Sequence, residues 1–175
     1  MSHRRYATEP AGRAAEFPPD ALRKIDAILA RYPTKQAALL PVLWVAQETW
    51  GWVSKEAAEE VARILGLTAA HVDGVLTFYT MYNLSPIGKS LIQICTSISC
   101  HLAGAERLVE RCEKRLGIGL EETTADGKFT LLEVECIAGS DKAPSMMVND
   151  KFYEPMDAGK LDALLVELGR EAGRG

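Results

Sequence analysis

The sequence predicts an α+β protein, in which an N-terminal helical bundle at residues 19–86 precedes a small α/β domain at residues 87–175. Apolar residues recur with a helical period almost continuously from position 19 to Tyr82. After position 88 the pattern changes to strand, helix, strands and helix, which is the order of a small α/β sandwich. With 175 residues, of which 47% are hydrophobic, the chain can build a packed core.

Four helices are expected in the first region. The first begins at Pro19, buries Ile25 and ends at Pro33. Thr34 is expected to cap the second helix, and Pro41 is expected to bend it.

Two capped helices complete this region. Ser54 is a good N-cap for the third helix, which Gly66 stops, and Thr68 begins the fourth. A helix, a brief turn and a helix is also the pattern of a DNA-binding module. The last of these helices offers no Lys, Arg, Asn or Gln for phosphates or base edges, so nucleic acid is not an expected partner.

The second region alternates strands and helices. A strand rich in branched apolar residues leads into the first cysteine loop, and an amphipathic helix closes the chain. The predicted strands are 89–95, 129–135, 146–148 and 152–153, and the predicted helices are 101–116 and 161–168.

Charge and hydropathy narrow the function classes. A net charge of −4 gives no broad basic field for nucleic acid or anionic membranes, and no apolar run approaches the roughly 20 residues of a membrane span. Residues 1–18 contain three arginines, but Glu9 and Glu16 are untypical of a transit peptide, so a flexible or partner-contacting tail is expected there. We therefore expect a cytoplasmic protein whose reduced thiols serve metal or redox chemistry.

Three cysteines stand at spacings suited to an iron-sulfur cluster. Four residues separate Cys95 from Cys100, and Cys136 opens a second loop that ends at Ser140. A C-x4-C pair followed at a distance by C-x3-C can hold a 2Fe-2S centre, because each iron needs two ligands from the protein. Only three thiolates are present, and Ser140 stands where a fourth would close the set.

The neighbouring candidates have simpler roles. Cys112 lies twelve residues beyond Cys100, about 18 Å along a continuous helix, so we expect it to be a buried apolar side chain. On a helix, His101 projects about 100° away from Cys100 and is expected to be a surface or capping residue. The three tryptophans are expected to be core or interface anchors: Trp44, Trp50 and Trp52.

Polar groups around the first loop are suited to stabilising thiolates. Cys100 is expected near the N-terminal end of a helix, where free N–H groups favour negative charge. The hydroxyls of Thr96, Ser97 and Ser99 can donate hydrogen bonds to sulfur, or cap that helix.

Several separated strings, in order, resemble one known family. They are VDGVLTFY at 72–79, GKSLIQICTSISC at 88–100, GAERL at 104–108 and ECIAGSDKAP at 135–144. Over residues 21–168 the chain is similar to the small 2Fe-2S subunit, the 24 kDa subunit family, of NADH:quinone oxidoreductase, respiratory complex I.

This resemblance implies a thioredoxin-like domain that holds one 2Fe-2S cluster, with Cys95, Cys100 and Cys136 at ligand positions and Ser140 at the fourth. It implies electron transfer within an NADH dehydrogenase whose larger subunit binds FMN and NADH, beside other peripheral-arm subunits, on the cytoplasmic side of a bacterial inner membrane. Related subunits serve soluble NAD-linked hydrogenases and formate dehydrogenases. The chain has no G-x-G-x-x-G fingerprint and no catalytic residues of its own, so the NADH site is expected on the partner.

The loop at 135–140 departs from the family pattern Glu-Cys-Leu-Gly-x-Cys at both the glycine and the last cysteine. Three interpretations of Ser140 stay open. A deprotonated serine ligates ferric iron, as a hard oxygen donor that lowers the potential. Alternatively Asp141, a water or His101 completes the site. In the third, the cluster is labile or absent and the subunit is mainly structural.

Two other classes of protein also use such residues. Zinc bound by the three cysteines and His101 is chemically possible, and it would be colourless and redox-silent. A thioredoxin-type oxidoreductase would need a C-x-x-C pair, which this chain lacks.

Overall fold

The computed structural model describes Tyr6 and residues 15–172, which form two compact units whose boundary falls between Pro86 and Ile87. Most of the predicted tail, residues 1–18, lies outside the described residues. Of its described part, Phe17 is buried, and its ring centroid lies 4.5 Å from that of Trp50.

Four helices build the described part of the first unit. The helices are α1 (Pro19–Leu29), α2 (Leu39–Trp50), α3 (Lys55–Leu65) and α4 (Ala69–Phe78). Each packs on the next along the chain, and Ile25, Leu43, Val61 and Leu76 belong to their shared core. The two predicted caps are present, since the hydroxyls of Ser54 and Thr68 accept hydrogen bonds from the first turns of α3 and α4.

The predicted start of the second helix is wrong. The Thr34 hydroxyl accepts a hydrogen bond from the backbone N–H of Ala37 at 3.1 Å, and this caps a turn that ends before α2 begins at Leu39. Pro41 therefore lies in the first turn of α2 instead of at a bend inside the helix. Its missing N–H removes no helical hydrogen bond there, because the first N–H groups of a helix have no partner within it.

The second unit is a mixed four-stranded sheet with helices. The elements are β1 (Ser90–Cys95), α5 (Ile98–Leu102), α6 (Ala105–Leu116), β2 (Phe129–Val134), a 3-10 turn (Ser140–Lys142), β3 (Met146–Val148), β4 (Lys151–Tyr153) and α7 (Ala158–Ala172). The strand order is β2-β1-β3-β4, with β1 parallel to β2 and antiparallel to β3. Ile92 of β1 pairs with Leu131 and Val148 in the middle of the sheet. These helices and this sheet confirm the α+β class.

The predicted helix at 101–116 is two helices. Gly104 has a φ of 95°, a left-handed conformation that glycine adopts without steric cost, and it separates α5 from α6. The distance expected along one continuous helix therefore does not apply to Cys112. Its predicted burial is nevertheless observed, because Cys112 is fully buried in the core of this unit.

The parallel pair β1 and β2 positions both cysteine loops. The two strands run in the same direction, so their carboxyl ends lie at the same edge of the sheet. β1 ends at Cys95, and β2 ends at Val134, two residues before Cys136. Within residues 15–172, no helix is both long and apolar enough to cross a membrane.

Candidate metal centre

Three segments of chain meet where β1 ends. The backbone N–H of Cys95 donates to the carbonyl of Ser145 at 3.1 Å, which joins β1 to the residue before β3. The N–H of Thr96 donates to the carbonyl of Val134 at 3.1 Å, which joins the same point to β2. The sheet hydrogen bonds thus fix the relative positions of both cysteine loops.

Cys95 and Cys100 form the buried half of the site. The Cys95 sulfur lies 3.1 Å from the Ser97 hydroxyl oxygen. Burial alone would raise the pKa of the Cys95 thiol, but hydrogen bonds from the Ser97 hydroxyl, the Cys100 thiol, and the backbone N–H groups of Ser97 and Ile137 hold this pKa below its ordinary value. Cys95 is therefore arranged to carry negative charge in a buried place.

Cys136 and Ser140 form the exposed half. The Cys136 sulfur lies 3.5 Å from the Ser140 hydroxyl and 3.4 Å from the N–H of Ala138. Hydrogen bonding from the Ser140 hydroxyl, with a further contribution from the Ala138 N–H, lowers the pKa of the Cys136 thiol. Ser97 lowers this pKa too, whereas the nearby charge of Cys95 opposes it, so Cys136 faces the buried pair. The structure thus brings together all four predicted site residues.

The loop from Cys136 to Ser140 has one strained residue and one tightly packed residue. Ala138 has a φ of 67°, in the left-handed region that favours glycine. Gly139 is buried, and a Cβ added there would lie 2.7 Å from the Phe152 ring and 2.8 Å from the Ser145 side chain. The close packing of Gly139 on Phe152 and Ser145 therefore holds this loop in place.

The structure also tests the roles predicted for residues outside the four-residue site. The Thr96 hydroxyl donates to a Glu133 carboxylate oxygen at 2.6 Å, so its predicted bond to sulfur is wrong. His101 is exposed, and its Nδ1 lies 3.2 Å from a Glu106 carboxylate oxygen, in agreement with a surface role. Trp52 is buried, whereas Trp44 is 39% exposed.

Sequence reasoning missed one contact at the site. The Ser145 hydroxyl lies 3.5 Å from the Cys100 sulfur, and Ser145 is fully buried. The residue directly follows the string 135–144 that carried the family resemblance. Its contact with Cys100 depends on the pairing of β1 with β3, which no local sequence signal specifies.

The donors at this site have the chemistry of iron-sulfur ligands. Within the described residues, no group of three or more His, Cys, Asp or Glu side chains surrounds a point where one metal ion would bind. A 2Fe-2S centre does not require such a group, because its ligands are divided between two irons. Three of the four donors here are thiols, the ligands that iron-sulfur clusters prefer, and the fourth is a hydroxyl. The three thiols therefore fit a 2Fe-2S cluster, and Ser140 is the candidate for the fourth donor.

The mixed sheet, its covering helices and the thiols at its edge define a small α+β domain with a redox-type cysteine site. A family model described as "Thioredoxin-like [2Fe-2S] ferredoxin" matches residues 25–169. This chain belongs to the thioredoxin-like [2Fe-2S] ferredoxin family, and the resemblance drawn from the sequence is confirmed.

Named relatives agree with this assignment. An NADH-quinone oxidoreductase subunit of Rhizobium meliloti is 44% identical over 142 residues, which cover 81% of this chain and 84% of that protein. An NADH-quinone oxidoreductase subunit of Rickettsia prowazekii is 42% identical over 147 residues, covering 82% and 83%. The mitochondrial NADH dehydrogenase [ubiquinone] flavoprotein 2 of Dictyostelium discoideum is 40% identical over 156 residues, covering 87% of this chain but only 63% of that relative's length.

Solved structures support the fold alone. The crystal structure of an NAD+-reducing [NiFe]-hydrogenase in the air-oxidized state superposes with a TM-score of 0.67 at 22% identity. The match covers 76% of this chain and 23% of the hydrogenase chain.

Proposed function

We propose that this chain is an electron-transfer subunit of an NADH:quinone oxidoreductase, with a 2Fe-2S cluster bound by Cys95, Cys100, Cys136 and Ser140. One observation carries the proposal. Three thiols from two separate loops converge at one edge of the sheet, and the Ser140 hydroxyl lies 3.5 Å from the sulfur of Cys136. When bound, the cluster supplies one-electron transfer.

The residues around the thiols prepare the site for a cluster. Ser97 donates toward Cys95, and the Ala138 N–H donates toward Cys136, so the sulfurs are stabilised as the thiolates that bind iron. Cys95 and Cys100 are buried, which keeps water from the inner side of the site. Ser140 begins a 3-10 turn on the exposed side, where its hydroxyl is able to act as the fourth donor.

The proposed partner is the subunit that binds FMN and NADH. The named relatives are subunits of NADH-quinone oxidoreductases, and this chain shows no dinucleotide fingerprint of its own. Ile98 and Leu102 lie one helical turn apart on α5, on either side of Cys100, and are 78% and 81% exposed. Exposed apolar side chains of this size favour a subunit interface beside the thiols.

In this proposal the two units have different roles. Residues 87–175 form the cluster domain in this proposal, and residues 19–86 form a helical bundle that helps to dock it in the peripheral arm. The complex would lie on the cytoplasmic face of the membrane.

The test compares three forms of Ser140. Wild type, Ser140→Ala and Ser140→Cys are purified anaerobically, analysed for iron and sulfide, reduced with dithionite and examined by EPR. If Ser140 ligates iron, wild type carries two irons and gives an S = 1/2 signal, and Ser140→Ala loses iron or changes its g-values. Ser140→Cys is the matched thiolate control.

Other distributions of iron among the three proteins would contradict the proposal. Iron restricted to Ser140→Cys, with wild type and Ser140→Ala both empty, would overturn electron transfer by this chain. It would leave a mainly structural subunit of the same complex. Iron in wild type and Ser140→Ala with identical spectra would assign the fourth position to another donor.

A further inference from the structure

Ser145 touches all three segments that build the site. Its carbonyl accepts the backbone hydrogen bond of Cys95 at 3.1 Å, and its hydroxyl oxygen lies 3.5 Å from the sulfur of Cys100. Its side chain also lies directly against Gly139, because a Cβ on that glycine would approach the Ser145 Cβ and Oγ to 2.8 Å. One serine therefore links the end of β1, α5 and the second cysteine loop.

We propose that Ser145 is a positioning residue that donates a hydrogen bond to the Cys100 thiolate and thereby raises the reduction potential of the bound cluster. The inference rests on the proposed function. The direction of the hydrogen bond follows from chemistry, because a thiolate has no proton and only the hydroxyl is able to donate. Ser145 is fully buried, so water does not compete for its hydroxyl.

The sign of the effect follows from charge. Reduction adds an electron to the cluster and increases the negative charge on its sulfur ligands. A hydrogen-bond donor aimed at one of those sulfurs stabilises the reduced state more than the oxidised state, and such bonds are one of the means that set cluster potentials. In a buried site with a low local dielectric this stabilisation is larger than in water.

Ser145 also acts against the proposed effect of Ser140. An oxygen ligand at position 140 favours ferric iron and lowers the potential. Hydrogen bonds from Ser97 to Cys95 and from Ser145 to Cys100 act in the opposite direction, on the buried half of the site. The hydrogen bonds from these two serines thus oppose the decrease in reduction potential that an oxygen ligand at position 140 would cause.

The test measures midpoint potential by EPR-monitored redox titration of purified, reconstituted protein. Ser145→Ala removes only the hydroxyl and keeps the backbone carbonyl that positions Cys95. Ser90→Ala is the matched control, because Ser90 is also buried but lies at the opposite end of β1 from Cys95. We expect a more negative potential in Ser145→Ala, with a shift in its visible charge-transfer bands, and no change in Ser90→Ala.

Ser145→Ala and Ser90→Ala are also made in the Ser140→Cys background. A failure of the proposed function can then be distinguished from a failure of the role proposed for Ser145. An empty wild type would refute the proposed function, while Ser140→Cys and its Ser145→Ala double variant would still report on Ser145. Equal potentials in those two proteins would overturn the role of Ser145, even if the double variant unfolded at a lower temperature. Failure of every variant to bind iron would overturn both proposals.

Loss of iron is also informative. If Ser145→Ala loses iron while its metal-free form unfolds at the same temperature as Ser90→Ala, Ser145 positions the ligands. If both variants lose iron equally, the effect is general to buried serines and the proposal is wrong.

Discussion

Replacing Ala138 with glycine should stabilise the protein, although the change removes a methyl group. Ala138 is held at a φ of 67°, where the Cβ of an L-residue crowds its own backbone. The loop therefore contains alanine at a position whose backbone favours glycine. The family pattern Glu-Cys-Leu-Gly-x-Cys agrees, because it has glycine at this position.

The expected gain follows from two opposing terms. A left-handed conformation costs a non-glycine residue about 1–2 kcal/mol, which Ala138→Gly removes. Glycine also gives the unfolded chain more freedom, which costs about 0.4–1 kcal/mol. The net stabilisation is about 0.5–1 kcal/mol. If the second unit unfolds by itself, this raises its melting temperature by roughly 2–8 °C.

The adjacent residue supplies a control of opposite sign. Gly139 has a φ of −104°, which alanine adopts freely, but its Cβ would lie within 2.8 Å of Phe152 and Ser145 atoms. Gly139→Ala should therefore destabilise the protein by overpacking, at a cost of about 1–3 kcal/mol. Two neighbouring glycine–alanine exchanges in one loop are predicted to shift stability in opposite directions.

Urea unfolding of the metal-free, reduced protein, followed by circular dichroism, measures both changes. The metal-free form isolates the backbone from any effect of iron. Equal or lower stability in Ala138→Gly would show that the loop does not keep its left-handed residue in solution. An unaffected Gly139→Ala would show that the loop is not packed on Phe152.

Three further outcomes follow from other parts of the structure. Ser140→Cys should raise the midpoint potential of the cluster above that of wild type in a redox titration, because a thiolate replaces an oxygen donor; a lower potential would contradict oxygen ligation. Burial raises the pKa of the Cys112 thiol to about 12, so its contribution to stability is complete below pH 9 and is lost as pH rises towards 12. Between pH 8 and pH 10.5, the free energy of unfolding of Cys112→Ala should therefore fall by up to about 2 kcal/mol less than that of wild type, as measured by urea titrations. Equal decreases in the two proteins would refute this. Ser54→Ala should cost about 1 kcal/mol in thermal or urea unfolding, since its hydroxyl caps α3 through the N–H of Ala57, whereas no loss would show that the cap is replaced by water.

Local signals predict most of the helices and strands. Ser54 and Thr68 are recognisable as caps because a hydroxyl before an amphipathic stretch has one energetically favoured use, which is to accept from the first turn. The bend predicted at Pro41 is wrong because a proline in the first turn and a proline at a kink look alike in sequence. The break at Gly104 is not predicted, since a single glycine inside an apolar periodicity does not by itself mark the end of a helix.

The site is predictable only as far as spacing determines it. Cysteine spacing and the family resemblance predict four positions, because ligands must be brought to one place by short loops, and the structure brings these four residues to one edge of the sheet. The hydrogen-bond partners are less predictable. Thr96 bonds to Glu133 across the β1–β2 pair, and Ser145 reaches Cys100 through the pairing of β1 with β3, so both depend on tertiary register.

The second cysteine loop holds residue 140 in a defined position beside Cys136. Gly139 fits against Phe152 and Ser145, and residue 140 presents its side chain 3.5 Å from the sulfur of Cys136. Ala138 is exposed and left-handed, and backbone strain of this kind persists only where neighbouring residues are held in place. Its neighbour Gly139 lies against Ser145, the same residue that contacts Cys100. A single replacement of Ser140 by cysteine should therefore complete a four-thiolate site without any second change elsewhere in the chain.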